Sequence, residues 1–266
     1  MYVRPPEPIE FPAEEPWEEH VGEIKRHLEN RTALYLTLKD LFAATSSIGS
    51  DQFVYFDPTD ARRCMSPDVF VKLGVPDQMF RVWKTWERGA PELGVEIISD
   101  ADHRDQNWDD KLARYRAAGI REVVRFDADD AERPIRIWDH VSGDLVERAA
   151  DDPQLRSCNA LGLWWVIAED AADGRMLRLA RGRDGDDVIP TPSEARVMAE
   201  MALRQVQEAR VAAEQEKAVA EQEKAAAEQE KAVAEEKLRE ETEARRLAEG
   251  EIERLKEALA EARRGR

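Results

Sequence analysis

The sequence predicts a mixed α/β domain, extended by antiparallel strands and followed by a long charged helix. Three observations carry that reading. Segments with helical apolar spacing alternate with short runs rich in β-branched and aromatic residues, the pattern of an α/β core. Two turn signals, Ser142-Gly143 and Asp173-Gly174, separate later β-like runs and mark hairpins. From Ser193 onward the chain is dominated by Ala, Glu, Gln, Lys and Arg, with no proline up to Arg266. The expected organisation is a flexible Pro- and Glu-rich segment at residues 1–15, a folded domain at 16–192 and a charged helix at 193–266.

Pro16 suits the first turn of a helix whose apolar stripe is Trp17, Val21, Ile24 and Leu28. His20 and Glu23 flank that stripe. His20 reads either as a helix-surface residue or as one leaning into a site built by later strands. A second helix, LTLKDLFAAT, follows. The run QFVYF at 52–56 reads as a strand closed by Asp57-Pro58. Pro67 can begin a strand but not fill a central one, so Asp68 opens a strand with Val69, Phe70 and Val71. Alternation puts Asp68 and Phe70 on one face. The segment DQMFRVWKTWERG predicts a short helix ending at Gly89.

Residues 94–99 form a strand apolar on both faces, as in a sheet centre, with Glu96 inside it. Asp100, Asp102 or Asp105 can cap the next helix. Along that helix Arg104, Trp108, Lys111, Leu112 and Tyr115 share one stripe, and Gly119 closes it. Residues 120–127 are another strand. Residues 133–138 and 144–148 pair as a hairpin, and β-like runs at 163–168 and 176–180 complete the domain.

In the tail, Ser193 reads as the helix cap. The tetrapeptide Glu-Gln-Glu-Lys occurs three times between residues 214 and 231, at seven-residue intervals. Seven is the coiled-coil period. Val219, Ala226 and Val233 form one core position and Gln215, Gln222 and Gln229 the other, a polar seam. Ala248, Ile252, Leu255, Leu259 and Ala262 make a better one. The tail is either a solvated helix or a coiled coil that makes a homo-oligomer or captures a partner helix.

The formal net charge of −17 over 266 residues argues against a protein that coats nucleic acid, which needs Lys and Arg to neutralise phosphate. It leaves room for an enzyme with a local basic groove. No apolar run is long enough to span a bilayer, so no membrane partner is expected. The opening residues carry no apolar signal region. Cys64 and Cys158 form no metal-type spacing, and a reducing, cytoplasmic setting is expected. There is no Gly-rich phosphate loop, zinc cluster or hydrolase elbow. His103 and His140 read as surface or loop residues.

Glu96 and Lys111 break otherwise apolar patterns. A buried carboxylate and a buried ammonium each cost several kcal/mol unless paired or bound to a metal. With Asp68 they form a set drawn from two strands and the helix that follows the second. Two carboxylates at strand ends make a hard-oxygen site suited to magnesium or manganese, and the backbone carbonyl of Ile97 can add a ligand. A lysine beside them can orient water or stabilise charge developing on a phosphodiester.

Three motifs in this order resemble the Uma-two family of putative restriction endonucleases, part of the PD-(D/E)XK nuclease superfamily. They are Ser66-Pro67-Asp68-Val69-Phe70-Val71, Val95-Glu96-Ile97-Ile98-Ser99, and Lys111 with Tyr115, Gly119, Ile120, Glu122 and Asp127. The resemblance covers about residues 16–185 and is best from 66 to 127. It implies a restriction-endonuclease-like core with a mixed central sheet flanked by helices, and magnesium or manganese as cofactor. It also implies Asp68 and Glu96 as metal ligands and Lys111 as the catalytic lysine. In most of the superfamily that lysine lies two residues after the acidic residue, where this chain has Ile98. Glu19 or Glu23 is implied as a helix-one acidic residue completing the site, and His20 resembles a histidine of the family's first helix. Val123-Val124 replaces the family's Tyr-Trp pair, and the repeated tail lies outside the family pattern.

These readings predict a metal-dependent DNA endonuclease. The alternative is an inactive nuclease-fold scaffold that assembles proteins through its C-terminal helix. Hydrolysis of RNA or another nucleotide substrate uses the same triad.

Overall fold

The computed structural model describes residues 9–13, 24–98, 108–170 and 174–264. The first helix, α1 (Lys25–Phe42), runs without a break through the point where two helices were expected. Its buried residues are Asn30, Leu34, Thr37 and Leu38. Ile24 and Leu28, expected inside, are 38% and 42% exposed. The helix is rotated because polar residues hold its inner face. The Asn30 side chain accepts from the Leu177 N–H at 2.9 Å and donates to the Arg175 carbonyl at 3.3 Å. A buried amide so bonded joins helix to sheet at little cost. Trp17, Glu19, His20, Val21 and Glu23 lie outside the described residues.

The strands are β1 (Ser46–Gly49), β2 (Val54–Tyr55), β3 (Cys64–Met65), β4 (Val69–Leu73), β5 (Trp83–Lys84) and β6 (Leu93–Ile97). They continue with β7 (Glu122–Phe126), β8 (Ile135–Val141), β9 (Asp144–Glu147), β10 (Ser157–Cys158), β11 (Leu163–Asp170) and β12 (Gly174–Ala180). The short helix α2 (Thr85–Arg88) follows β5, and α3 (Trp108–Ala118) stands between β6 and β7. The main sheet has the order β1-β4-β6-β7-β8-β9. Within it β6 and β7 are parallel and the other neighbours antiparallel, so the sheet is mixed, as expected. A parallel pair needs a crossover, and α3 lies within it.

Each face of the sheet has its own core. Val69, Val71, Val95 and Val124 pack with Leu34 and Leu38 of α1 and Trp165 and Leu177 of β11 and β12. Phe70, Val123 and Trp138 pack on the opposite face with Tyr115 and Ala118 of α3 and with Trp83. The two sets follow from strand alternation. Gly119, at φ +76°, ends α3 as expected. Ser142 and Gly143 both have positive φ in the β8–β9 turn, the requirement of a tight hairpin.

Two expectations change. The 52–56 strand shortens to β2 and joins β3 and β5 in a separate small sheet. The helix expected through residues 77–89 contracts to α2, because Trp83 pairs with Val54 and is buried against Phe70 and Phe80. The later strands β10–β12, expected as extra antiparallel strands, form an antiparallel sheet of their own.

The C-terminal helix α4 (Pro192–Arg264) is capped one turn-position earlier than expected. The Thr191 hydroxyl accepts from the Glu194 N–H at 3.3 Å, and Glu194 Oε2 accepts from the Thr191 N–H at 2.8 Å. This reciprocal box outcompetes Ser193, with Pro192 in the first turn. The chain divides into two units, Met1–Val197 with the three sheets and Met198–Arg266. No helix of the described residues is long and apolar enough to cross a membrane.

Candidate active site

β4 and β6 run antiparallel with Val69 opposite Val95 and Phe70 opposite Gly94. Asp68 lies just before the paired residues, near enough to Glu96 for its charge to push the Glu96 carboxyl up. The order Pro67 then Asp68 positions the carboxylate where the strand begins. Asp68 Oδ2 accepts from the Ile97 N–H at 2.6 Å. Ile97, expected to offer its carbonyl, thus meets Asp68 through its amide.

Glu96 is 3% exposed. Its Oε2 accepts from Lys111 Nζ at 2.7 Å, and its Oε1 accepts from the Tyr115 hydroxyl. Lys111 and Tyr115 are one turn apart on α3, so one helix face delivers both donors. Tyr115 reaches Glu96 by crossing Gly94. A Cβ at Gly94 would stand 2.5 Å from the Tyr115 ring, so only glycine leaves that path open. Burial pushes the Glu96 carboxyl up to about 7, against the pull of the Lys111 charge and with a further push from Asp68. Burial, and then Glu96 itself, hold the Tyr115 phenol well above its ordinary range.

His27 of α1 completes the cluster. Its Nε2 lies 3.1 Å from Asp68 Oδ1, and both side chains are mostly shielded. Sequence reasoning passed over His27 for His20. The available signal was spacing: His27 lies seven residues before Leu34 and eleven before Leu38, on the helix face that is buried. In the sequence Tyr115 is a stripe residue and a member of the Lys111 motif, and Gly94 only a strand opening. His103 lies outside the described residues; His140 is exposed on β8.

The structure brings Asp68, Glu96, Ile97 and Lys111 together. At Ile98, the usual lysine position, the side chain is 7% exposed and the N–H bonds to the Phe126 carbonyl. The ammonium beside Glu96 comes from α3 instead.

A family model described as Uma2, putative restriction endonuclease, matches residues 1–170. The chain belongs to the Uma2 family. A search of curated proteins found no match. One solved structure similar to this Uma2 chain is a putative nuclease belonging to DUF820 from Anabaena variabilis. It is 12% identical, with a TM-score of 0.37 over 57% of this chain and 75% of that one.

The donor chemistry of the Uma2 site suits a hard divalent cation. Two carboxylates lie near each other, and the like charge of Asp68 is one cause of the raised Glu96 carboxyl. Among the described residues no three His, Cys, Asp or Glu side chains converge as a metal cage. Magnesium commonly takes one or two carboxylates and fills its shell with water and substrate oxygen.

Proposed function

We propose that this Uma2 protein is a metal-dependent endonuclease that hydrolyses phosphodiester bonds of DNA. The observation that carries the reading is the convergence on Glu96 of a second carboxylate, a lysine and a tyrosine. A purely structural buried glutamate needs the lysine but gains nothing from Asp68 beside it.

Asp68 and Glu96 would hold the cation, which when bound polarises the phosphodiester and neutralises its charge. Lys111 is 21% exposed on its side chain, so its ammonium can turn from Glu96 toward a substrate phosphate or a water. There it stabilises negative charge gathering on the phosphoryl oxygens as water attacks phosphorus and the P–O bond to the leaving strand breaks. Tyr115 fixes one Glu96 oxygen and His27 one Asp68 oxygen, so both act as positioning residues. The acidic chain makes tight binding of bare DNA at physiological salt weak, and the cation offsets repulsion at the site.

Purified full chain is incubated with plasmid, linear DNA and RNA, with magnesium or manganese. Cleavage of DNA that Glu96→Ala abolishes is the expected result. No cleavage with either metal, or undiminished cleavage by Glu96→Ala, rejects the assignment, and cleavage of RNA alone replaces its substrate.

The scaffold reading draws on the exposed C-terminal helix. A catalytically inert chain that still self-associates would favour it.

A further inference from the structure

We propose that α4 pairs with the same helix of a second chain, parallel and in register, as a two-stranded coiled coil. From 198 through 257 every residue is exposed, including Val219, Val233, Ile252 and Leu255, each more than half exposed. Within the helix, Lys217 and Glu221, and Lys231 and Glu235, approach only to 3.9 Å. These pairs put lysine before glutamate, the weaker order, and exposed pairs contribute a few tenths of a kcal/mol. They do not explain a strict seven-residue repeat. A lone straight helix turns every 3.6 residues, whereas a supercoiled pair keeps a seven-residue repeat facing its partner.

The charges choose the occupant and its direction. With Val219, Ala226 and Val233 as one core position and Gln215, Gln222 and Gln229 as the other, the flanks are Glu216, Glu223 and Glu230 on one side. Ala218, Ala225 and Ala232 form the other. Antiparallel helices would set the glutamate flank against itself. Parallel helices set it against the partner's alanine flank, where glutamate stems cover alanine methyls. In register, each glutamine amide meets its own copy and can donate and accept across the seam. Farther on, Ile252 and Leu255 make a second apolar seam in a shifted seven-residue frame, in which Glu251 of one chain faces Lys256 of the other. A slip of seven residues would keep the glutamine layers but lose that ion pair.

In each chain α4 continues from the sheet-bearing unit that ends at Val197, so the pairing links two such units in one molecule. On the nuclease reading above, the two-chain molecule carries two copies of the site; the pairing itself does not depend on that reading.

Sedimentation of the full chain over a concentration series tests the pairing. A two-chain mass is expected, and a one-chain mass for Val219→Glu with Val233→Glu, whose domain melts unchanged. Orientation is read in a Cys64→Ser background carrying Gln215→Cys or Gln229→Cys. Facing core positions in a parallel pair come within disulfide reach, so each variant alone should form a covalent two-chain species on oxidation. An antiparallel pair can bring at most one of these two positions against itself. A one-chain mass throughout, or self-linking by only one of the two variants, overturns the proposal. Neither measurement reads cleavage, so an inactive protein would leave both results standing.

Discussion

Glu96 and Glu122 are both buried glutamates on the parallel pair β6–β7, and their surroundings differ. Glu122 sits where β7 begins, opposite Leu93, and Glu96 near the end of β6, opposite Arg125. Glu122 is 2% exposed and Glu96 3%. Burial raises both carboxyls, so depth does not separate them. Their partners do. Glu122 lies 3.7 Å from the Arg148 guanidinium and accepts from the Ala160 N–H at 3.0 Å. Arg148 is itself buried and held by Asp139 through two bonds of 2.7 Å. One Glu122 oxygen is thereby held and its charge is met, although the other is buried without a hydrogen-bond partner, and a guanidinium cannot give up its proton. Glu96 instead has a second carboxylate nearby and a lysine whose side chain is partly exposed. A buried acid marks a site when its surroundings leave negative charge that something from outside can meet.

The largest test of this contrast is activity. Glu96→Gln should cut DNA cleavage about 1,000-fold, and Lys111→Met on the order of 100- to 1,000-fold, as for loss of one group that stabilises transition-state charge. Glu122→Gln should leave cleavage within about threefold below the melting temperature. Plasmid cleavage rates with manganese for the three variants check it. Equal losses at Glu96 and Glu122 would erase the distinction.

Stability should respond in the reverse order. Arg148→Leu leaves Glu122 and Asp139 without their shared cation, and breaking a buried pair from one side costs about 3–5 kcal/mol. Glu96→Gln should cost far less, since it removes a charge that burial opposes, in the manner of functional residues held against stability. Denaturant titration of the metal-free chain at pH 8 reads both. An Arg148→Leu variant as stable as the parent would mean the network is not structural.

The third test is pH. An ordinary glutamate titrates near 4.5, and Glu96 in the fold near 7. Between those values the folded chain binds more protons than the unfolded one, so stability falls as pH rises. The shift corresponds to about 3 kcal/mol of stability present below pH 4.5 and lost by about pH 7. Glu122, also raised, adds to the decline. Glu96→Gln should flatten the curve across that window, and saturating manganese should reduce the decline by favouring the ionised form. A curve that keeps its slope in Glu96→Gln would show that Glu96 ionises as it does in water.

Much of this contrast was legible in the sequence, and the missing part has a physical cause. Glu96 and Lys111 stand out because each interrupts an apolar period, Asp68 because it opens a strand beside them after Pro67, and Gly119 and Ser142-Gly143 because turns demand their backbone geometry. The inner face of α1 was misread because Asn30 and His27 are buried by partners more than 40 residues away, which local periodicity does not record. Glu122 was read only as part of a motif, and its arginine lies 26 residues on across a hairpin. Trp83 was drawn into a strand by packing that overrode a helical pattern. Tyr115 was hidden differently: an aromatic on a buried stripe looks like core, and only its hydroxyl shows otherwise.

That hydroxyl gives the smallest and most discriminating test. Tyr115→Phe keeps the ring against Gly94 and removes one donor to Glu96. Losing a hydrogen bond to a charged group disfavours the ionised form, so the Glu96 carboxyl should climb further above 7. In the metal-free chain the decline of stability with pH should then extend to more alkaline values than in the parent. Cleavage near neutrality should fall about tenfold, the effect of roughly 1.4 kcal/mol at one positioning contact. It should recover as pH is raised toward 9, because the missing bond is partly replaced by a more complete ionisation. Nothing comparable should follow from removing the Trp165 indole N–H near Glu122, where Arg148 already fixes the charge. A Tyr115→Phe variant with the parent's pH profile would make the tyrosine a packing residue, and the ordering of Glu96 would then rest on Lys111 alone.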